Sequence, residues 1–230
     1  MNPLWLRIQA PFAAFRGFQA GVYRASSPVM PPSTAYGLAL NLAGIEMRDA
    51  TPGVTTLIRS DIPKLQIAVG LVSLPERSSL YQQLHSYPVG ASGKELKERT
   101  HGAKFWITPV RREVLVGYNG IIGIQSADES LSERIGKGLR GELDVPRYGL
   151  PFAGDNNFLI DRIEIVAEPP ETFWYARMLP DDAPRKGSCR LTAGIDRSDN
   201  SRTTSPLYAP GDYSIYPPET AWTWVPGAPV

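Results

Sequence analysis

Arginine and aromatic side chains alternate in one short stretch near the start of the chain. The set consists of Phe12, Phe15, Arg16, Phe18, Tyr23 and Arg24. Aromatic rings stack on unpaired bases, which contributes about 1–3 kcal/mol per base, and arginines neutralise phosphates. The stretch therefore predicts a surface for single-stranded nucleic acid, although we expect part of the aromatic set to belong to the core instead.

A second basic segment, residues 86–112, combines cations with three glycines and two prolines. Its cations are Lys94, Lys97, Arg99, Lys104, Arg111 and Arg112. This composition predicts a mobile basic loop or hairpin that projects from a sheet. His101 lies within it and could act as a general acid or base on an RNA 2′-hydroxyl, with a lysine stabilising the phosphate. The alternative is a histidine that is exposed to solvent or contacts phosphate.

Two prolines precede an uncharged helical pattern. Ser33 or Thr34 is predicted to cap this helix, and the residues at 35, 38, 39, 42 and 43 form one apolar stripe that ends at Gly44. The first N–H groups of a helix have no partner within it, so they can hold either a capping side chain or a phosphate. We expect this helix start to contact phosphate.

Two glycine-rich segments need separate interpretations. GKGLRG, residues 136–141, matches G-x-G-x-x-G but follows a helix, so the context argues against a dinucleotide site. A helix exit or a basic turn beside RNA fits better. In YGLPFAGDNNF, residues 148–158, Asn156 and Asn157 could offer amides to phosphates or base edges, with Arg147 nearby. The alternative is a loop whose asparagines hydrogen-bond locally.

Composition argues against several other kinds of site, including disulfides, metal sites and membrane segments. Cys189 is the only cysteine, and neither of the two histidines has metal-ligand spacing to other donors, so we expect no disulfide, no metal and no cofactor. The early run is interrupted by Arg7 and Arg16, which argues against a signal peptide and predicts a cytoplasmic protein without a membrane partner. Net charge is about +7 in residues 1–112 and about −6 in residues 113–230, which indicates one basic face unless it reflects chance clustering.

Hydrophobic periodicity gives the order strand, helix, strand, insertion, strand, helix, strand. This is the βαββαβ order of a ferredoxin-like or RRM-like unit, so the predicted fold class is α+β. We predict a domain at residues 1–168 with a basic thumb at about 86–112. A small β-rich, proline-rich extension at 169–230 would include strands in TFWYARML and SCRLTAGIDR and an extended tail.

The segment PFAAFRGF…YRASSPVMPPSTAYGLALNLAGIE resembles the N-terminus of the Cas-five subunit of type I CRISPR Cascade complexes, a member of the RAMP superfamily. YGLPFAGDNNF and LTAGIDRSDNSRTTSPLYAP are similar to later parts of that family. The resemblance implies a noncatalytic subunit that caps the 5′ handle of the CRISPR RNA (crRNA). It also implies contacts with the Cascade backbone subunit, the Cascade large subunit and target DNA near the PAM.

Combining the residue patterns with this resemblance gives one set of expected RNA contacts. The set is Arg16, Phe18, Tyr23, Arg24, Ser33, Thr34, Tyr36, Lys94, Lys97, Arg99, Lys104, Arg111, Arg112, Arg147, Asn156 and Asn157. One lineage of the family cleaves precursor crRNA without metal through a Tyr-Lys-His set, for which Tyr23 or Tyr36, Lys104 and His101 are the candidates. Cleavage is the alternative function, and a generic RRM-like binder outside CRISPR is a third.

Overall fold

The computed structural model describes residues 2–17, 23–88 and 105–227. The N-terminal strands of this part are β1 (Leu4–Ala13), β2 (Phe15–Arg16), β3 (Tyr23–Arg24), β4 (Ser26–Ser27), β5 (Leu65–Ser73), β6 (Glu76–Pro88) and β7 (Phe105–Ser126). The C-terminal strands are β8 (Arg162–Val166), β9 (Thr172–Arg177), β10 (Cys189–Arg190), β11 (Leu207–Ser214) and β12 (Thr223–Val225). The helices are α1 (Pro32–Leu42) and α2 (Ser130–Arg140), and short 3₁₀ helices occur at Asn200–Arg202 and Glu219–Ala221.

Four strands at the centre of the sheet run antiparallel in the order β8-β1-β7-β5. The helix α1 lies in the connection from β1 to β5, and α2 lies between β7 and β8. The α+β class predicted from the sequence is therefore confirmed: within the described ranges, a mostly antiparallel sheet carries two α-helices. In β1, Leu6, Ile8 and Ala10 are buried on one face, as the alternating pattern predicts.

The strand β7 is 22 residues long, and it takes part in both the central sheet and a separate two-stranded ribbon. Its second half pairs with β5 and β1 in the central sheet, whereas its first half pairs with β6 in a ribbon that continues to the pair Pro88↔Phe105. The predicted insertion therefore overlaps the paired strands at its two ends. Residues 89–104, which hold the rest of it, lie outside the described residues.

The apolar residues form two clusters, one on each face of the sheet. On the helix-covered face, α1 packs its predicted stripe, including Ala35, Leu38 and Leu42, against the strands. On the opposite face, three tryptophans pack together. The ring centroid of Trp5 lies 5.7 Å from that of Trp174 and 6.0 Å from that of Trp222. Because the rings of Trp5 and Trp222 occupy the space beside Gly123, a side chain there would collide with them.

The two helices approach each other closely at the glycine motif GKGLRG. Gly138 lies inside α2, where a Cβ atom would stand 1.7 Å from the carbonyl oxygen of Leu42 at the end of α1. Gly141 ends the helix at a φ of 75°. The helix-exit interpretation is thus confirmed for Gly141. At Gly138, the close packing of the two helices leaves no room for a side chain.

Residues after 168 continue the same sheet. The strand β9 pairs with β5, β11 pairs with β9, and β12 pairs with the other part of β5. The predicted strands in TFWYARML and SCRLTAGIDR are β9 and β10, but β11 lies between them. The tail forms a paired strand over Leu207–Ser214, with a register shift between Pro210 and Tyr213, although its sequence predicted only extended chain. The boundary near residue 168 stays a prediction.

None of the helices in the described ranges combines the length and the apolar character needed to cross a membrane.

Candidate nucleic-acid interface

The short ribbon formed by β2 and β4 holds Arg16 at the surface. Phe15 is buried at 1% exposure, and strand alternation then turns Arg16 outward. The hydroxyl of Ser26 accepts a hydrogen bond from the Phe15 N–H at 2.9 Å, and the Ser26 N–H donates to the buried carboxylate of Glu113 at 2.8 Å. The backbone beside Arg16 is therefore held by two buried hydrogen bonds, one within the β2-β4 ribbon and one to Glu113 of β7.

Three clefts meet at Arg16. The helix cleft, about 310 Å³, is lined by the start of α1 and by residues 192–203, including Ser33, Thr34 and Arg197. The central cleft, about 560 Å³, lies between residues 25–28 and the strand β10, with Arg77 and Arg190 in its walls. The amide cleft, about 780 Å³, is lined by Arg24 and Arg112 and by four residues of the amide type, Gln82, Gln83, Asn156 and Asn157.

The arginines of these clefts differ in how much of their charge is already balanced. Arg77 pairs with Glu113 at 3.1 Å, and Arg112 pairs with Asp155 at 2.5 Å. In the part of the chain that the structure describes, Arg16, Arg24 and Arg197 form no ion pair with an acidic side chain. Cations without a carboxylate partner that converge on a groove attract phosphate groups.

The start of α1 corrects one prediction. The helix begins at Pro32 with Pro31 as N-cap, and neither Ser33 nor Thr34 caps it. The Ser33 N–H donates to the carbonyl of Thr192 at 3.0 Å, and the Thr34 and Ala35 N–H groups donate to the carbonyl of Pro31. The expected free N–H groups are therefore occupied: that of Ser33 by the C-terminal segment, and those of Thr34 and Ala35 by Pro31 within the helix start. Ser33 and Thr34 still line the helix cleft.

Tyr36 is a second correction. Its ring is 4% exposed and packs in the core, and its hydroxyl donates to the carbonyl of Pro63 at 2.7 Å. Burial raises the pKa of Tyr36, so the phenol stays protonated. Tyr36 follows the helical period of the core stripe, and it can neither contact RNA nor act in cleavage from this position.

A row of exposed side chains crosses the β3-β7-β6 ribbon. Tyr23 pairs in register with Arg111, and Arg111 pairs with Tyr81 on the other side. Residues directly opposite each other share a face of the sheet. Tyr23 and Tyr81 are 49% and 70% exposed, so two aromatic rings flank one arginine on an open surface. This arrangement suits stacking on unpaired bases beside a phosphate.

The loop at residues 148–158 forms one wall of the amide cleft. Asp155 accepts hydrogen bonds from the backbone and the side-chain amide of Asn157 and pairs with Arg112. Gly154, at a φ of 83°, brings the loop so close to Ala14 that a Cβ would lie 2.3 Å from its carbonyl oxygen. The local interpretation is confirmed for Asn157, whose side-chain amide donates to Asp155. Asn156 and Asn157 also line the cleft, and their contact with phosphates or base edges stays a prediction.

Arg147 does not join the clefts. The carbonyl of its neighbour Tyr148 accepts a hydrogen bond from Asn41 in the last turn of α1, at the opposite end of the helix from Ser33 and Thr34. The remaining predicted contacts, Phe18, Lys94, Lys97, Arg99 and Lys104, lie outside the described residues together with His101.

Sequence reasoning missed several cleft residues, namely Arg77, Gln82, Gln83, Arg190 and Arg197. Arg190 and Arg197 lie in SCRLTAGIDR, which we interpreted as a strand of the extension. The only signal for Arg197 was the similarity of LTAGIDRSDNSRTTSPLYAP to the family, and Arg190 lies one residue before that segment. Cys189 also lines the central cleft, and burial raises the pKa of its thiol to about 11, so it is protonated at neutral pH.

Comparison with known proteins identifies the family. A family model described as CRISPR-associated protein (Cas_Cas5) matches residues 4–124, more than half of the chain, and the chain therefore belongs to this family. No curated protein matches the chain. The resemblance found in the N-terminal segment is confirmed by the family match.

One solved structure shows the same fold. One chain, from a structure described as "CRISPR RNA-guided surveillance complex", superimposes with a TM-score of 0.54 at 12% identity, covering 90% of this chain and 87% of the other. A second, described as "Crystal structure of Cas protein", gives a TM-score of 0.43 at 14% identity over 90% of this chain and 93% of the other.

Proposed function

We propose that this protein is the noncatalytic subunit of a type I CRISPR Cascade complex that caps the 5′ handle of crRNA. The observation that carries the proposal is the convergence of three clefts on Arg16, with Arg24 and Arg197 as further unpaired cations. Membership of the Cas5 family and the fold shared with a surveillance-complex chain support it. The strand order β8-β1-β7-β5 with two crossover helices supports a ferredoxin-like, RAMP-type core.

In this proposal, the handle follows the groove between the start of α1 and the C-terminal segment. The predicted thumb at about residues 86–112, of which the structure describes the paired ends 86–88 and 105–112, then contacts the Cascade backbone subunit. The large subunit and target DNA near the PAM are further partners, and the complex works in the cytoplasm. Base pairing reads the target, while the protein reads the shape and the phosphates of the guide.

Handle RNA binding is expected to depend steeply on salt, because phosphate contacts release counterions. For single-stranded RNA, the slope of log K against log salt should be about −0.7 for each phosphate contacted, so three arginines predict a slope near −2. Fluorescence anisotropy of labelled handle RNA with the full chain, from low to high salt, measures it. A slope near zero would contradict a phosphate-binding groove.

The same preparation tests the noncatalytic assignment. Repeat-containing precursor RNA incubated with the protein in EDTA should stay intact on a denaturing gel. Specific cleavage at the base of the handle would instead support the metal-independent endoribonuclease, with Tyr23, Lys104 and His101 as the residues to change first.

A further inference from the structure

We propose that Glu113 is a positioning residue of the central cleft, whose carboxylate joins two segments of the cleft lining and keeps the charge of Arg77 from binding phosphate. This inference rests on the proposed function. It explains why a buried carboxylate lies behind a groove suited to an anion. Of the acidic residues that the structure describes, Glu113 alone is buried, at 8% exposure. A buried carboxylate is costly unless hydrogen bonds and a cation balance it, so its partners show what it holds in place.

One oxygen of the carboxylate holds the β2-β4 ribbon. Oε2 of Glu113 accepts a hydrogen bond from the Ser26 N–H at 2.8 Å, and the Ser26 hydroxyl in turn accepts one from the Phe15 N–H at 2.9 Å. Ser26 pairs in register with Arg16. Because Ser26 is only 6% exposed, its N–H would be left buried without an acceptor if the carboxylate were removed. Glu113 therefore acts on Arg16 through Ser26.

The other oxygen of the carboxylate holds Arg77 of β6. Oε1 of Glu113 accepts a hydrogen bond from Nη1 of Arg77 at 3.1 Å, and the Arg77 side chain, 56% exposed, lines the central cleft. If Arg77 turned to a phosphate, it would leave a buried carboxylate without its cation, which is strongly unfavourable. Arg77 is therefore a poor phosphate ligand as long as Glu113 is charged, although it lies beside the groove.

This pairing sets the charge that the cleft presents to a ligand. The central cleft is lined by Arg16, Arg77 and Arg190 and by no acidic residue. Among these three arginines, only Arg77 pairs with a carboxylate of the described residues. An anion that enters the cleft should therefore be held by Arg16 rather than by Arg77.

The variant Glu113→Gln tests the role of the charge. Its amide oxygen can still accept from the Ser26 N–H, but its NH₂ group then faces the guanidinium of Arg77, and both of these groups only donate. Arg77 is released and can reach a phosphate. We expect the slope of log K against log salt for handle RNA to steepen by about 0.7, from near −2 to near −2.7, and the affinity at low salt to rise. Fluorescence anisotropy with the full chain measures both.

Two double variants test the positioning role apart from charge. Glu113→Gln/Arg77→Ala and Glu113→Ala/Arg77→Ala carry the same net charge, and they differ in whether the Ser26 N–H has an acceptor. The first should return the salt slope to the wild-type value and should bind handle RNA about tenfold more tightly than the second. Circular dichroism establishes that both are folded. If the alanine variant does not fold, the return of the slope in the glutamine variant still tests the release of Arg77.

The matched control is Glu164→Gln. Glu164 lies in β8 and pairs with Arg162 at 2.5 Å, so this variant also frees an arginine and adds the same charge, but at a site away from the clefts. It should keep the wild-type salt slope. Equal steepening by Glu164→Gln and Glu113→Gln would show an effect of net charge alone and would overturn the inference.

The remaining outcomes separate this inference from the proposed function. If the wild type binds handle RNA but Glu113→Gln leaves the slope unchanged or makes it shallower, the role of Glu113 in setting the cleft charge is wrong and the handle-binding groove stands. Equal affinity of the two double variants would likewise contradict positioning through Ser26. If the wild type binds no handle RNA, the proposed function is contradicted and this inference falls with it.

Discussion

Replacing Arg16 with alanine is expected to weaken handle RNA binding by about 10- to 100-fold, because each charge-assisted hydrogen bond to phosphate contributes about 1.5–3 kcal/mol. Arg16 is the residue common to all three clefts, and no carboxylate in the described residues balances its charge. Combining it with Arg24→Ala should weaken binding further and reduce assembly of the complex. Anisotropy titrations and co-purification of the assembled particle measure the two effects.

A matched control for charge is Arg162→Ala. Arg162 lies in β8, pairs with Glu164 at 2.5 Å and is 63% exposed, so its loss removes the same charge at a site away from the clefts. This variant should keep wild-type affinity within about twofold, since exposed ion pairs contribute little. Equal weakening by Arg162→Ala and Arg16→Ala would show that only net charge matters and would contradict a specific groove.

The second large effect concerns stability. Gly138→Ala is expected to lower the free energy of unfolding by about 2–4 kcal/mol, because its Cβ would stand 1.7 Å from the carbonyl oxygen of Leu42. The backbone of α1 cannot rotate away as a side chain could, so the helices must separate. Thermal and urea unfolding followed by circular dichroism measure the change.

The neighbouring glycine provides a control of opposite sign. At Gly136 the nearest atom to an added Cβ would be Nη1 of Arg140, 3.4 Å away on a flexible side chain. Gly136→Ala should therefore stabilise the protein by about 0.5–1 kcal/mol through helix propensity. If both variants destabilised the protein equally, the close approach of the two helices at Gly138 could not explain the loss of stability.

Several elements could be predicted because their signal is local. The alternation in LWLRIQA and KLQIAVGLV and the stripe in α1 depend on the period of a strand or helix and on burial, and both are written in consecutive residues. The basic and aromatic residues of β2 and β3 could likewise be selected as candidate contacts, because they are close together in the sequence.

Other features could not be read locally, because they depend on what packs against a segment. The Ser33 N–H at the start of α1 donates to the carbonyl of Thr192, which is more than 150 positions away along the chain. Tyr36 has the residue type of an RNA contact, but its place on the buried side of α1 decides its role. Arg190 and Arg197 join the clefts only because the C-terminal segment folds back onto the helix.

The most direct test of the handle-binding groove is a structure of the particle assembled with its crRNA. We expect the phosphates of the 5′ handle to lie within hydrogen-bonding distance of Arg16 and Arg197, between the start of α1 and residues 187–205, and of Arg24 in the adjoining amide cleft. A structure in which the handle lies against another subunit, with Arg16 facing no nucleotide, would contradict the account.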